Sequence, residues 1–500
     1  MRTIIHAKHL LLVLLLSSII SCALAPSATI TNDNPNPPLK PTQDYNLSEL
    51  QDNLYSTPTT VFLPTVQKEF PLQTIFGVQT SRIFQNQELS LISALGISWT
   101  RKDLFWSVVE SEEGKYNWDA ISDFEEDLRN TSAKNIRTIL VINKTPDWAR
   151  QYPESECGPI KQEKFDAFGK FMSEVVKRYS SPPFNVLYYE IWNEPDVDPA
   201  LFDYQGKGIG CWGNDTDEYY GGGNYADMLK RIHQPIKSAN PNAQILVGGL
   251  LLDCDPRGDP SGCENIGNNP KPAKFLEGIL KNNGKDYFDG ISFHAYDQYY
   301  GEKGKFGISN WNSSWNTTGP TVIAKANFIK EVLIENNAKD KFLMNTETAV
   351  LCADCTNDRN YEITKAYYIP QVYSAALSLG LRANLWYSSF GWRNSGLILI
   401  KDGTPQGQQP AYDAYFHSRE TLLNSRFEKE LNLGDGIMGY EFYREKTQIW
   451  VVWSLDGEPH PIDLSKMPLK ITNHEGKRLD LETPQRITIT IEPLYIEFQN

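Results

Sequence analysis

Two glutamates in this chain of 500 residues stand at the ends of apolar segments. The segment YYEIWNEPD, residues 188–196, runs from aromatic and aliphatic residues into Asn193 and Glu194. A second segment, KFLMNTE, ends at Glu347. Because two carboxylates on facing sides of a cleft can serve as an acid and as a nucleophile, Glu194 and Glu347 are the first candidates for catalysis.

Other polar and aromatic residues stand on neighbouring predicted strands. They are Arg101 at the end of GISWTR, His294 and Tyr296 at the end of FDGISFHAY, and Trp386 within RANLWYSS. Glu190 lies on the same strand face as Glu194 and is a rival acid. We interpret Glu190 as a polar residue inside the fold, because it lies deep in its apolar segment.

The elements that must position these residues form a repeated pattern. Between residue 70 and about residue 425, short apolar segments alternate with longer amphipathic ones, which predicts successive strand–helix units. The predicted strands lie near residues 72–79, 96–101, 136–143, 185–193, 243–249, 288–296, 341–347 and 382–389. The clearest helices are 165–179 and 364–380. Eight such units predict an α/β fold, a (β/α)8 TIM barrel whose active site lies at the C-terminal strand ends.

An open doubly wound sheet is the alternative topology. It would be expected to carry a glycine-rich phosphate loop after the first strand, and FGVQTSR, residues 76–82, contains none. From about residue 430, short alternating β-branched segments predict an antiparallel β-sandwich. We therefore assign residues 46–425 to a catalytic barrel and residues 426–500 to a C-terminal β-sandwich domain.

The N-terminal segment is typical of a targeting signal. A basic start precedes the apolar run Leu10–Leu16, and the sequence SCALA follows at residues 21–25. Cleavage after Ala25 is one possible ending. The other, which we favour, is lipidation of Cys22, because IISC resembles the lipobox of bacterial lipoproteins. We thus predict an exported protein, either a cell-surface lipoprotein or freely secreted.

A tether and a set of disulfides agree with export. After a signal segment of residues 1–22, residues 23–45 are rich in Pro, Asn and Thr and predict a disordered tether. Besides Cys22, six cysteines remain, an even number that predicts disulfide bonds. Proximity in sequence favours the pairs Cys254–Cys263 and Cys352–Cys355, which leaves Cys157–Cys211, although six cysteines allow about fifteen pairings.

Charge and motif content exclude several classes of partner. The formal net charge is −14, and the chain has no Lys/Arg-rich run, so nucleic acid and anionic membrane surfaces are poor partners. Contact with a membrane is expected only through the lipid anchor, because no other apolar stretch could span a bilayer. The segment CADC has neither a second C-x-x-C nor a nearby His pair, so we predict no metal site and no cofactor.

The same segments resemble the motifs of a known clan of enzymes. IWNEPD (191–196), MNTET (344–348), FHAY (293–296) and the stretch from WTRKDLFWSVVE to GKYNW (99–118) resemble clan A glycoside hydrolases. Within the clan the chain most resembles family 39 and its relatives, which include xylosidases, iduronidases and polysaccharide-cleaving enzymes. The resemblance covers about residues 70–500. It implies retaining hydrolysis of O-glycosidic bonds in a polysaccharide or oligosaccharide.

The resemblance also implies a role for each residue that matches its motifs. Glu194 would be the general acid/base and Glu347 the nucleophile, and Arg101 would keep Glu347 ionised. Retaining chemistry predicts that the two carboxyl groups lie about 5–5.5 Å apart. The implied substrate contacts are Asn193 to the sugar 2-hydroxyl, His294 and Tyr296 in the cleft, with Tyr296 orienting the nucleophile, and Trp386 as an aromatic platform. Trp148, Trp212, Trp311, Trp315 and Trp392 lie in predicted loops and could extend it.

One departure and two alternatives accompany this interpretation. Strand 3 ends in Asn143, where many clan members have a histidine. One alternative keeps the barrel but has the endoglucanase specificity of family 5. The other is a non-catalytic carbohydrate-binding surface lipoprotein. The presence of both glutamates argues against the second alternative.

Overall fold

The structure is a computed structural model. It describes residues 74–81, 85–153, 155–197, 212–252, 255–256, 271–299, 301, 311–312, 315, 317–401 and 404–499, all of which belong to one compact unit. The predicted signal segment, the tether and Cys22 lie outside the described residues. Within the described ranges, no helix is both long enough and apolar enough to cross a bilayer.

Nine strands form the main sheet. They are β1 (Phe76–Val78), β2 (Trp99–Phe105), β3 (Arg137–Asn143), β4 (Tyr188–Asn193), β5 (Gln244–Leu250), β6 (Gly290–Tyr299), β7 (Trp311–Asn312), β8 (Phe342–Leu351) and β9 (Ala383–Trp386). The short strand β7 pairs antiparallel with β6. The other eight strands are parallel, and pairing of β1 with β9 and of β5 with β6 closes them into a barrel. The predicted (β/α)8 fold is confirmed.

Nine α-helices are described along the chain. They are α1 (Gln85–Ala94), α2 (Trp106–Val109), α3 (Ser122–Ala133), α4 (Phe165–Tyr179), α5 (Gly222–Ala239), α6 (Phe275–Lys281), α7 (Val322–Glu335), α8 (Arg359–Ser378) and α9 (Pro410–Leu422). The predicted helix at 165–179 coincides with α4. The predicted helix at 364–380 begins earlier, at Arg359, because the carboxylate of Asp358 caps its first turn by accepting bonds from the backbone N–H groups of Asn360 and Tyr361.

The interior of the barrel has an apolar floor and a polar layer above it. Six buried apolar residues form the floor, namely Trp99, Ile139, Leu246, Met344, Ala383 and Leu385. Above them the side chains of Arg101 and Glu190 face each other across the interior, with Arg101 2 % exposed and Glu190 fully buried. The prediction that Glu190 lies inside the barrel is therefore confirmed.

Strand β2 is longer than we predicted. We expected it to end at Arg101, but it runs to Phe105, because each residue from Trp99 to Phe105 pairs with a residue of β3. Arg101 is thus the third residue of the strand and lies below the mouth of the barrel. Asp103 and Phe105 continue the same face of the strand towards the mouth.

The C-terminal region is an antiparallel β-sandwich, as predicted. A hairpin of β10 (Ile398–Lys401) and β11 (Thr404–Gln408) precedes it. Its strands are β12 (Arg426–Glu430), β13 (Ile437–Arg444), β14 (Thr447–Ser454), β15 (His460–Asp463), β16 (Lys470–Asn473), β17 (Arg486–Ile489) and β18 (Leu494–Gln499). The five-stranded sheet has the order β12-β13-β14-β18-β16, and β15 pairs with β17. One face of the larger sheet joins the apolar core of the barrel, and the other packs on β15 and β17.

The cysteines within the described ranges form disulfide bonds. Cys352 is bonded to Cys355, which confirms that predicted pair. Cys157 is also disulfide-bonded. Its predicted partner Cys211 and the predicted pair Cys254–Cys263 lie outside the described residues.

Candidate active site

The two candidate carboxylates lie side by side at the mouth of the barrel. Glu194 directly follows β4, and Glu347 lies in β8. Both residues are buried, with 6 % and 7 % of their surface exposed. One carboxyl oxygen of each and a ring nitrogen of His294 all lie within 4.8 Å of one another. The two glutamates therefore face the same small volume.

A distortion at the end of β4 directs Glu194 into this volume. Trp192 and Glu194 have positive φ angles of 80° and 47°, a conformation that costs a non-glycine residue about 1–2 kcal/mol. The neighbouring strand β5 accommodates it with Gly248, where a Cβ atom would lie 2.3 Å from the carbonyl oxygen of Ile191. The Glu194 N–H then donates to the Gly249 carbonyl at 2.9 Å. The glycines of β5 thus allow the turn that positions Glu194.

Arg101 connects the residues around the pair. Its Nη1 donates to Glu347 Oε1 at 2.5 Å, and its Nη2 donates to Glu190 Oε1 at 2.5 Å and to Asn193 Oδ1 at 2.6 Å. Burial lowers the pKa of Arg101, but the carboxylates of Glu190 and Glu347 raise it more, so it lies above its ordinary value. Arg101 is a permanent cation that links β2, β4 and β8.

Both oxygens of the Glu347 carboxyl group have a donor. Arg101 donates to Oε1, and the hydroxyl of Tyr296 donates to Oε2. Burial raises the pKa of Glu347, and the guanidinium of Arg101 and the Tyr296 hydroxyl offset this only in part. The cation beside it nevertheless stabilises a negative charge at Glu347.

His294 lies against Glu194 as a neutral imidazole. Its Nδ1 lies 2.8 Å from Glu194 Oε1 and 3.6 Å from Glu347 Oε2. Burial lowers the pKa of His294 to about 4, so the ring carries one N–H near neutral pH, and Nδ1 is the nitrogen that faces an acceptor. The opposite nitrogen, Nε2, packs on Gly249, where a Cβ atom would lie only 2.2 Å away.

Glu194, His294 and Glu347 are also close enough together to hold a metal ion. Carboxylate and imidazole atoms are suitable ligands for several divalent cations. Both carboxyl oxygens of Glu347, however, already accept bonds from Arg101 and Tyr296. We therefore interpret the cluster as an acid–base site rather than a metal centre.

Trp386 is not the aromatic platform that we expected. Its ring is fully buried in the core beside Tyr368, and its Nε1 donates to the Ser395 carbonyl at 2.8 Å. A side chain without exposed surface cannot stack on a sugar. The cause is strand alternation: Leu385 faces the barrel interior, so Trp386 faces outwards and Tyr387 faces inwards.

Tyr387, which we did not single out from the sequence, occupies the mouth instead. Its ring centroid lies 6.0 Å from that of Tyr296 and 6.5 Å from that of Trp392, and all three residues are partly exposed. Burial raises the pKa of Tyr387, and the charges of Glu347 and Asp103 raise it further. The alternation from Leu385 is the sequence signal that could have identified Tyr387.

The remaining tryptophans differ in location. Trp148 is half-buried, packs edge-on against Trp106 and donates from Nε1 to the Glu110 carbonyl at 3.0 Å. These contacts hold Trp148 against helix α2 and the residue that follows it. Trp212 and Trp315 are 1 % and 3 % exposed and belong to the core, which excludes them from a platform. Trp392 lies at the mouth, whereas the side chain of Trp311 lies outside the described residues.

Several solved structures share this fold. A family 39 glycoside hydrolase from Bacteroides cellulosilyticus is 18 % identical with a TM-score of 0.62, over 84 % of this chain and 80 % of that chain. A monomeric β-xylosidase from Caulobacter crescentus is 15 % identical with a TM-score of 0.54, over 87 % and 98 %. A conserved exported protein from Bacteroides fragilis is 12 % identical with a TM-score of 0.58, over 86 % and 98 %. These likenesses establish the fold, a (β/α)8 barrel.

The sequence itself assigns the family. The family model for cellulases, glycosyl hydrolase family 5, matches residues 66–373, which is more than half of the chain. The chain therefore belongs to the cellulase family, glycosyl hydrolase family 5. Among curated proteins, none matches it significantly. The clan A resemblance is confirmed, and family and fold indicate glycosidase activity.

Proposed function

We propose that this protein is a retaining glycoside hydrolase that cleaves O-glycosidic bonds of a polysaccharide or oligosaccharide by double displacement. The observation that carries the proposal is the proximity of the two carboxyl groups: one oxygen of Glu194 lies within 4.8 Å of one oxygen of Glu347. Inverting enzymes need about 6.5–9.5 Å to admit a water molecule between the carboxyl groups, and retaining enzymes need about 5–5.5 Å. The short separation supports a nucleophile that attacks the sugar directly.

Charge supports the division of roles within the pair. Two carboxylates at this distance are unfavourable when both are ionised, so one proton is shared between them near neutral pH. The guanidinium of Arg101 contacts Glu347 and stabilises its charge. Glu194 faces a neutral imidazole. The proton therefore resides on Glu194, which makes Glu194 the acid and Glu347 the nucleophile.

The reaction follows from these two protonation states. In the first step a Glu347 oxygen forms a bond to the anomeric carbon, the glycosidic C–O bond breaks, and Glu194 gives its proton to the departing oxygen. In the second step Glu194, now a carboxylate, takes a proton from water. The water oxygen bonds to the anomeric carbon and releases Glu347 as a carboxylate. Net retention follows from two inversions.

Asn193 is placed to bind the sugar beside the nucleophile. Its Oδ1 accepts from Arg101 Nη2 at 2.6 Å, which fixes the amide and leaves the Nδ2 donor for another partner. We propose that this donor binds the 2-hydroxyl, where a bond that strengthens in the transition state contributes most to rate. Tyr387 and Trp392 would supply the aromatic wall that we had expected from Trp386.

Aryl glycosides with good and poor leaving groups test the catalytic roles. We expect Glu347→Gln to abolish turnover of both. Glu194→Gln should slow substrates with poor leaving groups by about 10²–10⁴-fold and affect glycosylation with good leaving groups much less, because only a poor leaving group needs the acid. Glu112→Gln, at an exposed surface glutamate, is the matched control. Equal measurable rates in all four proteins would exclude these roles of the two glutamates, and no turnover in any of the four would favour a non-catalytic carbohydrate-binding protein.

Polysaccharides separate the two enzymatic candidates. Membership of the cellulase family favours β-glucan as the substrate, whereas a β-xylosidase among the structural relatives favours xylan. Product analysis on glucan, xylan, mannan and arabinan would decide between them. Short oligosaccharides released from glucan would support endoglucanase activity, and release of single xylose units would support a xylosidase.

We also propose that the protein is exported and anchored by lipid at Cys22. The apolar run and the IISC segment support this, and one structural relative is described as an exported protein. Labelling with a fatty acid probe should modify the wild type but not Cys22→Ala. Labelling of both, or of neither, would contradict the anchor.

A further inference from the structure

Asp103 and Asn143 form a second group of polar residues at the mouth of the barrel. We propose that they select the sugar that is transferred to the nucleophile, by accepting hydrogen bonds from its 3- and 4-hydroxyl groups. The favoured substrate class is then a neutral sugar with both hydroxyls free. This inference rests on the proposed function, since it assigns a specificity to the same site.

The register of β2 places Asp103 in the active-site cleft. Arg101 faces the barrel interior, where it contacts Glu347. Asp103 lies two residues further along the same face, about 7 Å nearer to the mouth. The charges of Asp103, Glu347 and Glu194 all act on the hydroxyl of Tyr387. Asp103 and the two glutamates therefore border one cleft.

Asn143 offers a buried acceptor beside Asp103. It ends β3 and is 6 % exposed, and its Nδ2 donates to Asp103 Oδ1 at 3.1 Å. Its Oδ1 has no hydrogen-bond partner among the residues that the structure describes. A buried acceptor without a donor costs about 1–3 kcal/mol, a cost that a bound hydroxyl would remove. This unsatisfied oxygen is the independent indication of a ligand.

The order of strands around the barrel matches the order of hydroxyls around a sugar ring. Asn193, the proposed partner of the 2-hydroxyl, ends β4, and Asn143 and Asp103 follow on β3 and β2. A ring whose anomeric carbon lies at Glu347 and whose 2-hydroxyl lies at Asn193 then presents its next hydroxyls to these two residues in turn. We assign the 3-hydroxyl to Asn143 and the 4-hydroxyl to Asp103.

The chemistry of the two groups defines what they accept. A carboxylate and an amide oxygen are acceptors, so they bind hydroxyl donors and not the carboxylate of a uronic acid. The nearby cation Lys144, which interacts with the charge of Asp103, has its Nζ 3.9 Å from Glu156 Oε2. A site built to bind a hydroxyl group rejects the analogue that lacks it by about 10⁴-fold or more.

Deoxy substrates measure each contact separately. The probes are the nitrophenyl glycoside that the wild type cleaves fastest and its 3-deoxy and 4-deoxy analogues. We expect the wild type to lose at least about 10²-fold in kcat/KM with each analogue, a conservative fraction of the discrimination such sites achieve. Asp103→Ala should lose its preference for the 4-hydroxyl but keep that for the 3-hydroxyl. Asn143→Ala should show the reverse.

Two further variants guard against loss of folding and against a general effect. Asp103→Asn retains the shape of the side chain but removes its charge. We expect it to lower the ratio of kcat/KM for the neutral nitrophenyl glycoside to kcat/KM for the matching nitrophenyl glycuronide. Asp340→Ala removes an exposed aspartate and should match the wild type on every probe. Thermal unfolding by circular dichroism verifies that each variant folds.

The outcomes distinguish this inference from the proposed function. If the wild type hydrolyses the parent glycoside and every variant keeps the wild-type deoxy preferences, the inference is overturned and the glycosidase assignment stands. If the wild type hydrolyses no glycoside and matches Glu347→Gln, the proposed function fails, and the inference fails with it.

Discussion

Arg101 illustrates how one residue defines this site. It is a single buried cation with two carboxylate partners, Glu190 and Glu347. Glu190 accepts from both Nε and Nη2, which holds the guanidinium plane so that Nη1 faces Glu347. A buried charge is stable only with such partners, so Glu190 is both a counter-ion and a positioning residue.

Removal of the Glu190 charge should alter the pH dependence of the reaction. Near neutral pH, Glu190→Gln removes a negative charge that competes for Arg101, so the pKa of Glu347 should fall. The acidic limb of the kcat/KM profile would then move to lower pH. We also expect kcat to fall about tenfold, because Arg101 is held less firmly; one such charge-assisted hydrogen bond contributes about 1.5–3 kcal/mol.

Arg101→Lys is the opposite case. A lysine cannot bind Glu190, Asn193 and Glu347 in the same fixed geometry, so the pKa of Glu347 should rise and the acidic limb should move to higher pH. The pH–rate profiles of the two variants, measured beside the wild type, test the sign of each shift. Shifts in the same direction would show that Arg101 does not control the ionisation of Glu347.

At the scale of elements, the pairing of β4 with β5 shapes the site. Each residue from Tyr188 to Ile191 pairs with a residue of β5, and Asn193 pairs with Gly249 in the same register. The pairing is interrupted only at Trp192, whose positive φ turns the chain. Gly248 and Gly249 provide the space, one for the backbone of β4 and the other for the ring of His294.

A methyl group at position 249 should displace His294 and leave the rest of the barrel intact. Gly249→Ala puts a Cβ atom 2.2 Å from His294 Nε2, so the ring must shift from Glu194. We expect a loss of about 1–3 kcal/mol in the free energy of unfolding, typical of an overpacked core, and a loss of at least about tenfold in kcat. Chemical denaturation and steady-state kinetics measure the two effects.

Gly223→Ala is the matched control for this substitution. Its Cβ atom would lie 3.7 Å from Asn282 Nδ2, its nearest neighbour outside the backbone of α5, which is an ordinary contact distance. We expect unchanged kinetics and unchanged or slightly higher stability, because alanine favours the start of α5 more than glycine does. Equal behaviour of the two variants would contradict the packing argument at Gly249.

At the scale of the whole molecule, the β-sandwich is part of the barrel's own core. Helix α9 contacts the larger sheet through Ser418 Oγ, 2.6 Å from the Tyr495 hydroxyl, and through His417 Nε2, 2.9 Å from Thr472 Oγ1. The apolar face of that sheet belongs to the same buried cluster as the barrel. We therefore expect the barrel and the sandwich to unfold together.

The interface predicts a loss of stability in mild acid. Burial lowers the pKa of His417 from 6.5 to about 4, so the unfolded chain binds a proton between these pH values and the folded chain does not. Stability therefore falls as the pH decreases from 6.5, by at most about 3 kcal/mol below pH 4. His417→Gln should flatten this part of a plot of Tm against pH. An unchanged slope would show that His417 is not responsible.

The repeated strand–helix units, the sandwich, and the association of Glu194 with the fourth barrel strand and of Glu347 with the seventh could all be predicted from the sequence. These features depend on local patterns, namely hydrophobic periodicity and the residues that end a strand. Which side chains contact each other could be read only from the folded chain. The full length of β2, the inward face of Tyr387 instead of Trp386, and the contact of Arg101 with Glu190 depend on strand register and on space left by Gly248 and Gly249. Those contacts join residues far apart in the chain, and no local pattern encodes the distance between them.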